Sequence, residues 1–301
     1  MNDYCPICSG QQFKIIGKPK TNLISKSFIN NDYNIVQCRS CELYYVMPQI
    51  TFSNDQWAKL YNSEYFAEQS SWLVKKRIKE LSERFNVFES FIAGNKKKIT
   101  FLDVGVGEGK ALSEGYRRGW EVTGIDIVDN RIAEAKLDNI KFIKADLLES
   151  PLPEKYYDFI YVDSVLEHVL NPLEYLFKIK KLSADGGIVY IGVPNEDCLF
   201  NDVRKLMFRI SGKFDLSEKI KPFDAPYHVV GFNKTSLNFL FQKTQMKVKK
   251  IRNFGRKFDF LSYKFNSKEF WINFLFLFPF EYVGKIFQRD VYLEAYLSKI
   301  K

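Results

Sequence analysis

Short apolar runs alternate with helical stretches through the middle of the chain. The runs that predict buried strands are Ile99–Val104, Trp120–Asp126, Ile140–Ala145, Tyr157–Val162 and Gly187–Val193. A helix is predicted between the first two runs, from about Lys110 to Arg118. Strands that alternate with helices in this rhythm favour a doubly wound, mostly parallel α/β sheet.

Two different patterns precede this region. Residues 56–93 have helical periodicity, and Leu81, Phe85, Phe88 and Ile92 would share one apolar face. The N-terminal runs 13–16 and 33–37 predict a small hairpin. We therefore divide the chain into an N-terminal module (1–48), a helical linker (49–95), an α/β core (96–254) and an aromatic-rich helical lid with a final strand near 291–297 (255–301).

Four of the five cysteines lie in the N-terminal module, as two Cys-x-x-Cys pairs. They are Cys5, Cys8, Cys38 and Cys41. A two-residue gap lets one tight turn present two thiolates to one metal ion, so the pairs predict a structural zinc ribbon. We expect Gly10 to supply a positive φ in the first turn. Disulfides and a redox dithiol are the alternatives, and the fifth cysteine, Cys198, is expected to be a buried apolar side chain.

The first core strand leads into a glycine-rich turn with the pattern Asp103-x-Gly105-x-Gly107-x-Gly109. Glycines at such a turn let backbone N–H groups approach a nucleotide. Position 110 is lysine, so the dinucleotide pattern Gly-x-Gly-x-x-Gly is missing, and no P-loop sequence is present. Asp103 would repel a pyrophosphate, but it suits a ligand that carries positive charge.

Further acids follow the other strands. Asp126 ends the second strand, where a carboxylate can accept both ribose hydroxyls. Asp146 follows the third strand and Asp163 ends the fourth. The carboxyl ends of parallel strands form the ligand-binding edge of such sheets, so these acids are expected to surround one crevice.

From Ile99 to Arg252 these motifs resemble the class I S-adenosylmethionine-dependent methyltransferases. The resemblance implies a seven-stranded Rossmann-like sheet and S-adenosylmethionine as cofactor. The cofactor residues that it implies are Asp103, Gly105, Gly107, Gly109, Asp126, Asp146 and Asp163. The segment Tyr227–Phe232 is similar to the branch that acts on small molecules. A Cys-x-x-Cys ribbon ahead of the domain is similar to methyltransferases of bacterial sugar and surface-glycan pathways.

The chain contains two histidines, and both are candidates for the base that removes a proton from the acceptor. His168 follows the fourth strand on the edge that faces the cofactor, and it is our first choice. His228 lies where the substrate loop of the resembled family re-enters the site. The alternatives are a packing or capping role for His168 and a loop-stabilising hydrogen bond for His228. An acceptor that is already a carbanion or an amine would need no base.

Two aromatic segments complete the candidate chemistry. Tyr61, Tyr65 and Phe66 precede the core and either fold over the pocket or pack. The tract 270–283 is the most apolar of the chain, and basic residues flank it. A helical lid, a subunit contact and peripheral contact with an anionic membrane are all compatible with it.

Composition narrows the function less than the motifs do. With 46% hydrophobic and 27% charged residues, the chain of 301 residues is in the ordinary globular range. The sequence shows no spanning segment and no secretory leader, which favours a cytoplasmic protein. The net charge of +9 is compatible with a phosphorylated or nucleotide-linked acceptor. The resemblance to methyltransferases of sugar and surface-glycan pathways implies methylation of a nucleotide-linked or glycan sugar. A quinone or aromatic acceptor, a nucleic-acid-binding protein and a noncatalytic module are the alternatives.

Overall fold

The computed structural model describes residues 4–60, 71–92, 98–212, 215–255 and 263–300. The strands are β1 (Phe13–Gly17), β2 (Asn34–Cys38), β3 (Tyr44–Met47), β4 (Thr100–Val104), β5 (Glu121–Asp126), β6 (Lys141–Lys144), β7 (Tyr157–Asp163), β8 (Ser183–Pro194), β9 (Val230–Gly231), β10 (Met246–Phe254) and β11 (Tyr292–Lys299). The helices are α1 (Leu23–Lys26), α2 (Asn54–Leu60), α3 (Ser71–Glu89), α4 (Lys110–Arg117), α5 (Pro172–Leu182), α6 (Leu199–Ile210), α7 (Lys234–Lys243), α8 (Lys268–Ile272) and α9 (Phe278–Ile286).

The larger of two sheets confirms the predicted doubly wound architecture. Its seven strands have the order β10-β11-β8-β7-β4-β5-β6. The strands from β4 to β8 are parallel, and β11 pairs antiparallel with both β8 and β10. The chain steps outward from β4 in both directions, so a crevice opens at the carboxyl ends of β4 and its neighbours, where such sheets bind ligands.

Helix α3 connects the linker to this sheet through an aromatic layer. Phe85 stacks on Trp120 with 5.1 Å between ring centroids, and Phe88 stacks on Phe159 at 3.9 Å. Burial of each phenylalanine side chain contributes about 1.5–3 kcal/mol. The predicted apolar face is confirmed for Leu81, Phe85 and Phe88, which are buried. The aromatic segment at residues 61, 65 and 66 lies outside the described residues.

The smaller sheet has the strand order β1-β2-β3-β9. The predicted hairpin is present as β1 and β2, and β3 extends it. The fourth strand, β9, follows β8 in the sequence. It pairs with β3, with Val230 opposite Tyr45 and Gly231 opposite Tyr44. The predicted module at 1–48 therefore shares a sheet with a segment that follows the core strands.

The C-terminal part has two different structures. Strand β11 lies in the region near 291–297 where a final strand is predicted. It inserts between β8 and β10. Lys247, Lys249 and Lys250 are exposed on the edge strand β10, where lysines oppose pairing with another chain. Between these strands, α8, a π-helical turn (Asn273–Leu277) and α9 follow one another. No helix within the described ranges combines the length and hydrophobicity that crossing a membrane requires.

Candidate active site

Three glycines with left-handed backbone form the turn from β4 into α4. Their φ values are 75° at Gly105, 52° at Gly107 and 81° at Gly109. A Cβ on Gly105 would lie 2.3 Å from Val165 Cγ2, and one on Gly109 would lie 2.4 Å from Ala135 Cβ. A Cβ on Gly107 would meet no atom of the described residues within 4 Å. Packing therefore requires the outer two glycines, whereas the middle one keeps a space open beside the crevice.

Asp126 at the end of β5 contacts this turn directly. Its Oδ2 accepts the Gly107 N–H at 3.0 Å, and its Oδ1 accepts the Val128 N–H at 3.2 Å. Burial raises the pKa of Asp126, and the backbone N–H groups oppose that effect. Asp146 lies in the turn after β6, where its Oδ1 accepts the Leu148 N–H at 2.7 Å. Both carboxylates keep lone pairs for a ligand.

Asp103 lies beneath the glycine turn with 3% of its surface exposed. Its buried Oδ2 has no hydrogen-bond partner in the part of the chain that the structure describes. Burial raises the pKa of Asp103 well above its usual range, and the negative charges of Asp126 and Asp163 add to the effect. An unsatisfied buried acceptor costs about 1–3 kcal/mol. A bound cation would remove this cost.

Asp163 at the end of β7 belongs to a different network. Its Oδ2 accepts hydrogen bonds from Arg84 Nη1 at 3.1 Å and from the Tyr161 hydroxyl at 2.9 Å. The Tyr292 hydroxyl donates to its Oδ1 at 2.8 Å. Asp163 is thus at the predicted edge, but three side chains from the linker, core and C-terminal strand already hold its oxygens.

Arg84 is a buried polar residue that sequence reasoning missed. Its Nε lies 2.6 Å from Glu294 Oε1, and Glu294 also pairs with Arg252. The signal was an arginine on the apolar face of α3, one residue before Phe85. The partners are more than 75 residues away along the chain, so sequence reasoning could not identify them.

The two histidines are close together although 60 residues separate them. His168 lies in a 3-10 turn after β7 and His228 lies just before β9, with 4.9 Å between ring centroids. His168 donates an N–H to the Tyr227 carbonyl. Burial lowers the pKa of His168 to about 4. Burial lowers the pKa of His228 well below its usual value, and the electrostatic effects of His168 and Lys221 act in the same direction.

Glu167 is the third member of this cluster, and sequence reasoning did not select it. Its Oε1 lies 3.9 Å from His228 Nε2, and the polar side-chain atoms of Glu167, His168 and His228 all lie within 4.8 Å of one another. Neither carboxyl oxygen has a hydrogen-bond partner among the described residues. Burial raises the pKa of Glu167 well above its usual range, with the charges of Asp163 and Glu196 as further causes. We call these three residues the acceptor-side triad, after the role that we propose for them below.

The four cysteines of the smaller sheet form one cluster. All four Sγ atoms lie within 4.8 Å of one another, with 3.4 Å between Cys5 and Cys41 and between Cys8 and Cys38. All four are free thiols. Around a tetrahedral zinc ion, thiolate sulfurs lie about 3.8 Å apart, so the cluster is close to the geometry of a four-cysteine zinc site.

The prediction for Gly10 was wrong in its reason. The positive φ values of the two turns are at Ser9 (58°) and Glu42 (63°). Gly10 instead donates its N–H to Cys8 Sγ at 3.3 Å, and a Cβ there would lie 3.1 Å from that sulfur. The position requires a small residue because the chain passes close to the Cys8 sulfur.

Comparison with known proteins defines the family. A family model described as a methyltransferase domain matches residues 57–251. This match covers more than half of the chain and includes the glycine turn, the strand-end acids and the acceptor-side triad. The chain belongs to this methyltransferase-domain family.

Individual relatives are more distant. The chain is 30% identical over 138 residues to a ubiquinone biosynthesis O-methyltransferase from Nitrosomonas europaea, an alignment of 42% of this chain and 58% of that protein. It is 29% identical over 129 residues to a demethylmenaquinone methyltransferase from Staphylococcus aureus, covering 40% and 53%. The chain thus spans little more than half the length of these curated relatives.

Two solved structures share the fold. A SAM-dependent methyltransferase from Archaeoglobus fulgidus superposes with a TM-score of 0.51 at 20% identity, covering 80% of this chain and 99% of that one. A 1,6-didemethyltoxoflavin-N1-methyltransferase from Burkholderia thailandensis, solved with S-adenosylhomocysteine, gives a TM-score of 0.50 at 14% identity and covers 91% and 98%. At this identity the likeness concerns the fold.

Proposed function

We propose that the protein transfers a methyl group from S-adenosylmethionine to a small polar acceptor. The observation that carries this proposal is the buried, unpartnered Oδ2 of Asp103 beneath a glycine turn that Asp126 holds in place. A dinucleotide would bring pyrophosphate to this acid, whereas S-adenosylmethionine brings an ammonium and a sulfonium.

The residues of the crevice fit this cofactor. Asp103 would hold the ammonium group and Asp126 the ribose hydroxyls, while Asp146 would face the adenine. Gly107 leaves the turn open beside the ligand. Asp163 would line the methionine end, with its charge balanced by Arg84. When bound, the cofactor supplies an electrophilic methyl group on a sulfonium.

The acceptor-side triad is our candidate for the proton chemistry. A low pKa keeps both imidazoles neutral near pH 7, so either can accept a proton from an acceptor hydroxyl. His168 remains the first candidate because it lies in the 3-10 turn that follows β7, on the edge that would face the cofactor. Holding donor and acceptor about 3–3.5 Å apart supplies much of the remaining acceleration.

For the acceptor, we propose a nucleotide-linked or glycan sugar. The four-cysteine sheet ahead of the core and the net charge of +9 support this choice. A quinone or aromatic acceptor is the second candidate, because both curated relatives described above carry quinone biosynthesis names. The test follows radiolabelled methyl transfer from S-adenosylmethionine to a panel of nucleotide sugars and to hydroxybenzoate and catechol probes. Labelling of the sugars is expected. Labelling of only the aromatic probes would contradict the sugar acceptor and favour the quinone or aromatic acceptor.

We propose that the four cysteines hold one structural zinc ion, which suits a cytoplasmic protein with reduced thiols. Elemental analysis of purified protein should find one zinc ion per chain, and Cys38→Ser should lose it. Cys198→Ser is the matched control, because Cys198 is also buried but lies outside the cluster. Zinc binding that survives Cys38→Ser would contradict the assignment.

We also propose that residues 270–283 make peripheral contact with a membrane. Trp271 and Tyr282 are 41% and 56% exposed on α8 and α9, and exposed lysines at 264 and 285 lie nearby in the chain. Vesicles with anionic lipid should sediment the wild type but not Tyr282→Glu. Neutral vesicles are the control, and equal sedimentation of both proteins would end this part of the proposal.

A further inference from the structure

The proposed methyl transfer gives no role to the most completely buried acid of the acceptor side. Glu167 is 1% exposed, and both of its carboxyl oxygens lack hydrogen-bond partners among the described residues. Unsatisfied buried polar atoms are rare in native proteins and call for an explanation. His228 Nε2 lies 3.9 Å from Glu167 Oε1.

The fold holds Glu167 and His228 in this relation. The Val229 N–H donates to the Glu167 carbonyl oxygen at 2.8 Å, so the two segments are joined by a backbone hydrogen bond next to both side chains. Directly after Val229, β9 pairs with β3. The distance between carboxyl and imidazole is therefore set by backbone contacts on both sides.

Among the charged groups around Glu167 and His228, the Glu167 carboxyl group is the one without a close cationic partner in the described residues. The charges of Asp163 and Glu196 raise the pKa of Glu167, and His168 and Lys221 lower the pKa of His228. Arg84 pairs with Asp163, and the positive charges of Lys219 and Arg204 act on Glu196. A side chain that pairs with the Glu167 carboxylate directly is not present among the described residues, apart from the weak contact to His228.

We propose that the acceptor-side triad releases a proton when S-adenosylmethionine binds and takes up the acceptor's proton during methyl transfer, with Glu167 as the positioning residue that carries the balancing negative charge. This inference rests on the proposed function. The sulfonium brings one positive charge to the buried site, and an ionised Glu167 would compensate it.

The charges balance through the reaction. The acceptor's O–H bond breaks and its proton moves to an imidazole of the triad. The oxygen forms a bond to the methyl carbon while the carbon–sulfur bond breaks, and the sulfur keeps that electron pair. Before transfer the site holds a sulfonium and a carboxylate. Afterwards it holds a neutral thioether and a triad with one added proton, so the net charge of the buried site is unchanged.

Calorimetry tests this without knowledge of the acceptor. S-adenosylmethionine and S-adenosylhomocysteine are each titrated into full-length protein at pH 7, in buffers that differ in ionisation enthalpy. Both ligands carry the ammonium that would face Asp103, so effects at that residue cancel in the difference. The wild type should release about one proton more with S-adenosylmethionine than with S-adenosylhomocysteine.

Two variants assign the proton. Glu167→Gln should reduce the difference to near zero while S-adenosylhomocysteine still binds. Glu114→Gln is the control: it removes a buried glutamate on α4, outside the triad and the charges that act on it, and the difference should persist. Equal proton release from both ligands in the wild type, or a difference that survives Glu167→Gln, would overturn the proposal for Glu167 and leave the proposed function standing.

If Glu167→Gln does not fold, an infrared difference spectrum of the wild type tests whether a buried carboxylic acid loses its proton on binding. Binding of S-adenosylmethionine should remove a carboxylic acid C=O band that S-adenosylhomocysteine leaves in place. A band that both ligands leave unchanged would contradict the proposal. If the wild type binds neither ligand, the proposed function fails and this inference fails with it.

Discussion

The proposed cofactor edge, which comprises Asp103, Asp126, Asp146 and Asp163, and the acceptor-side triad are built in different ways. The cofactor edge takes each of its acids from the end of a successive strand, and Asp126 contacts the glycine turn through a single hydrogen bond to Gly107. The triad instead joins two distant segments, and the second segment is held by the smaller sheet. Regular strand order therefore suffices for one half of the site, whereas the other half needs the four-cysteine sheet.

The largest expected effect is on the triad alone. His168→Ala should lower the rate of methyl transfer by roughly 10²–10⁴, because the variant lacks the base that removes the proton from the methyl acceptor. Binding of S-adenosylhomocysteine, measured by calorimetry, should stay within a few fold of the wild type. Unchanged turnover on a labelled acceptor would eliminate His168 as the base and leave His228→Ala as the next test.

The second prediction concerns the network that links the two halves. Arg84→Met should lower the free energy of unfolding by about 3–5 kcal/mol, because it leaves Asp163 without its cation and removes one of the two cations of Glu294. Urea denaturation measures this. Arg117→Met is the matched control, since the Arg117 side chain is 62% exposed and Glu114 keeps its second partner, Arg118, so the loss should be about 1 kcal/mol or less. Equal losses in the free energy of unfolding for the two variants would show that the ion pairs of Arg84 stabilise the fold no more than that of Arg117.

The third prediction follows from the pKa of His168, which burial lowers to about 4 in the folded protein. The unfolded chain has a value near 6.5 and binds more protons between pH 6.5 and pH 4, so folding stability falls as the pH falls through that window. His168 alone should lower the free energy of unfolding by about 2 kcal/mol at pH 5 relative to pH 7. His168→Gln should show a loss smaller by that amount; an identical loss would contradict the buried neutral imidazole.

The smallest effect isolates the cofactor edge. Gly107→Ala places a methyl group in the open space beside the crevice and should weaken S-adenosylhomocysteine binding by roughly tenfold or more, with little further loss of stability. Gly119→Ala is the control, because Gly119 also has a positive φ (77°) and open space but lies at the end of α4. The two variants share a backbone strain of about 1 kcal/mol. Equal affinity in both would exclude Gly107 from the cofactor site.

The sequence predicts those parts of the molecule that depend on local pattern. The parallel strands, the apolar face of α3 and the two cysteine pairs each have a characteristic spacing, and the structure places all of them as expected. Sequence reasoning missed the residues whose partners are distant. Arg84 meets Glu294, Glu167 meets His228, and the two-residue strand β9 completes the cysteine sheet. Such contacts have no local period, so only the folded chain shows them.

Titration of zinc-loaded, folded protein with S-adenosylhomocysteine tests the central claim most directly. Saturable binding of one ligand per chain is expected, with affinity lost in Asp103→Ala because the ammonium loses its buried carboxylate. A folded protein that binds neither this compound nor S-adenosylmethionine would contradict the account.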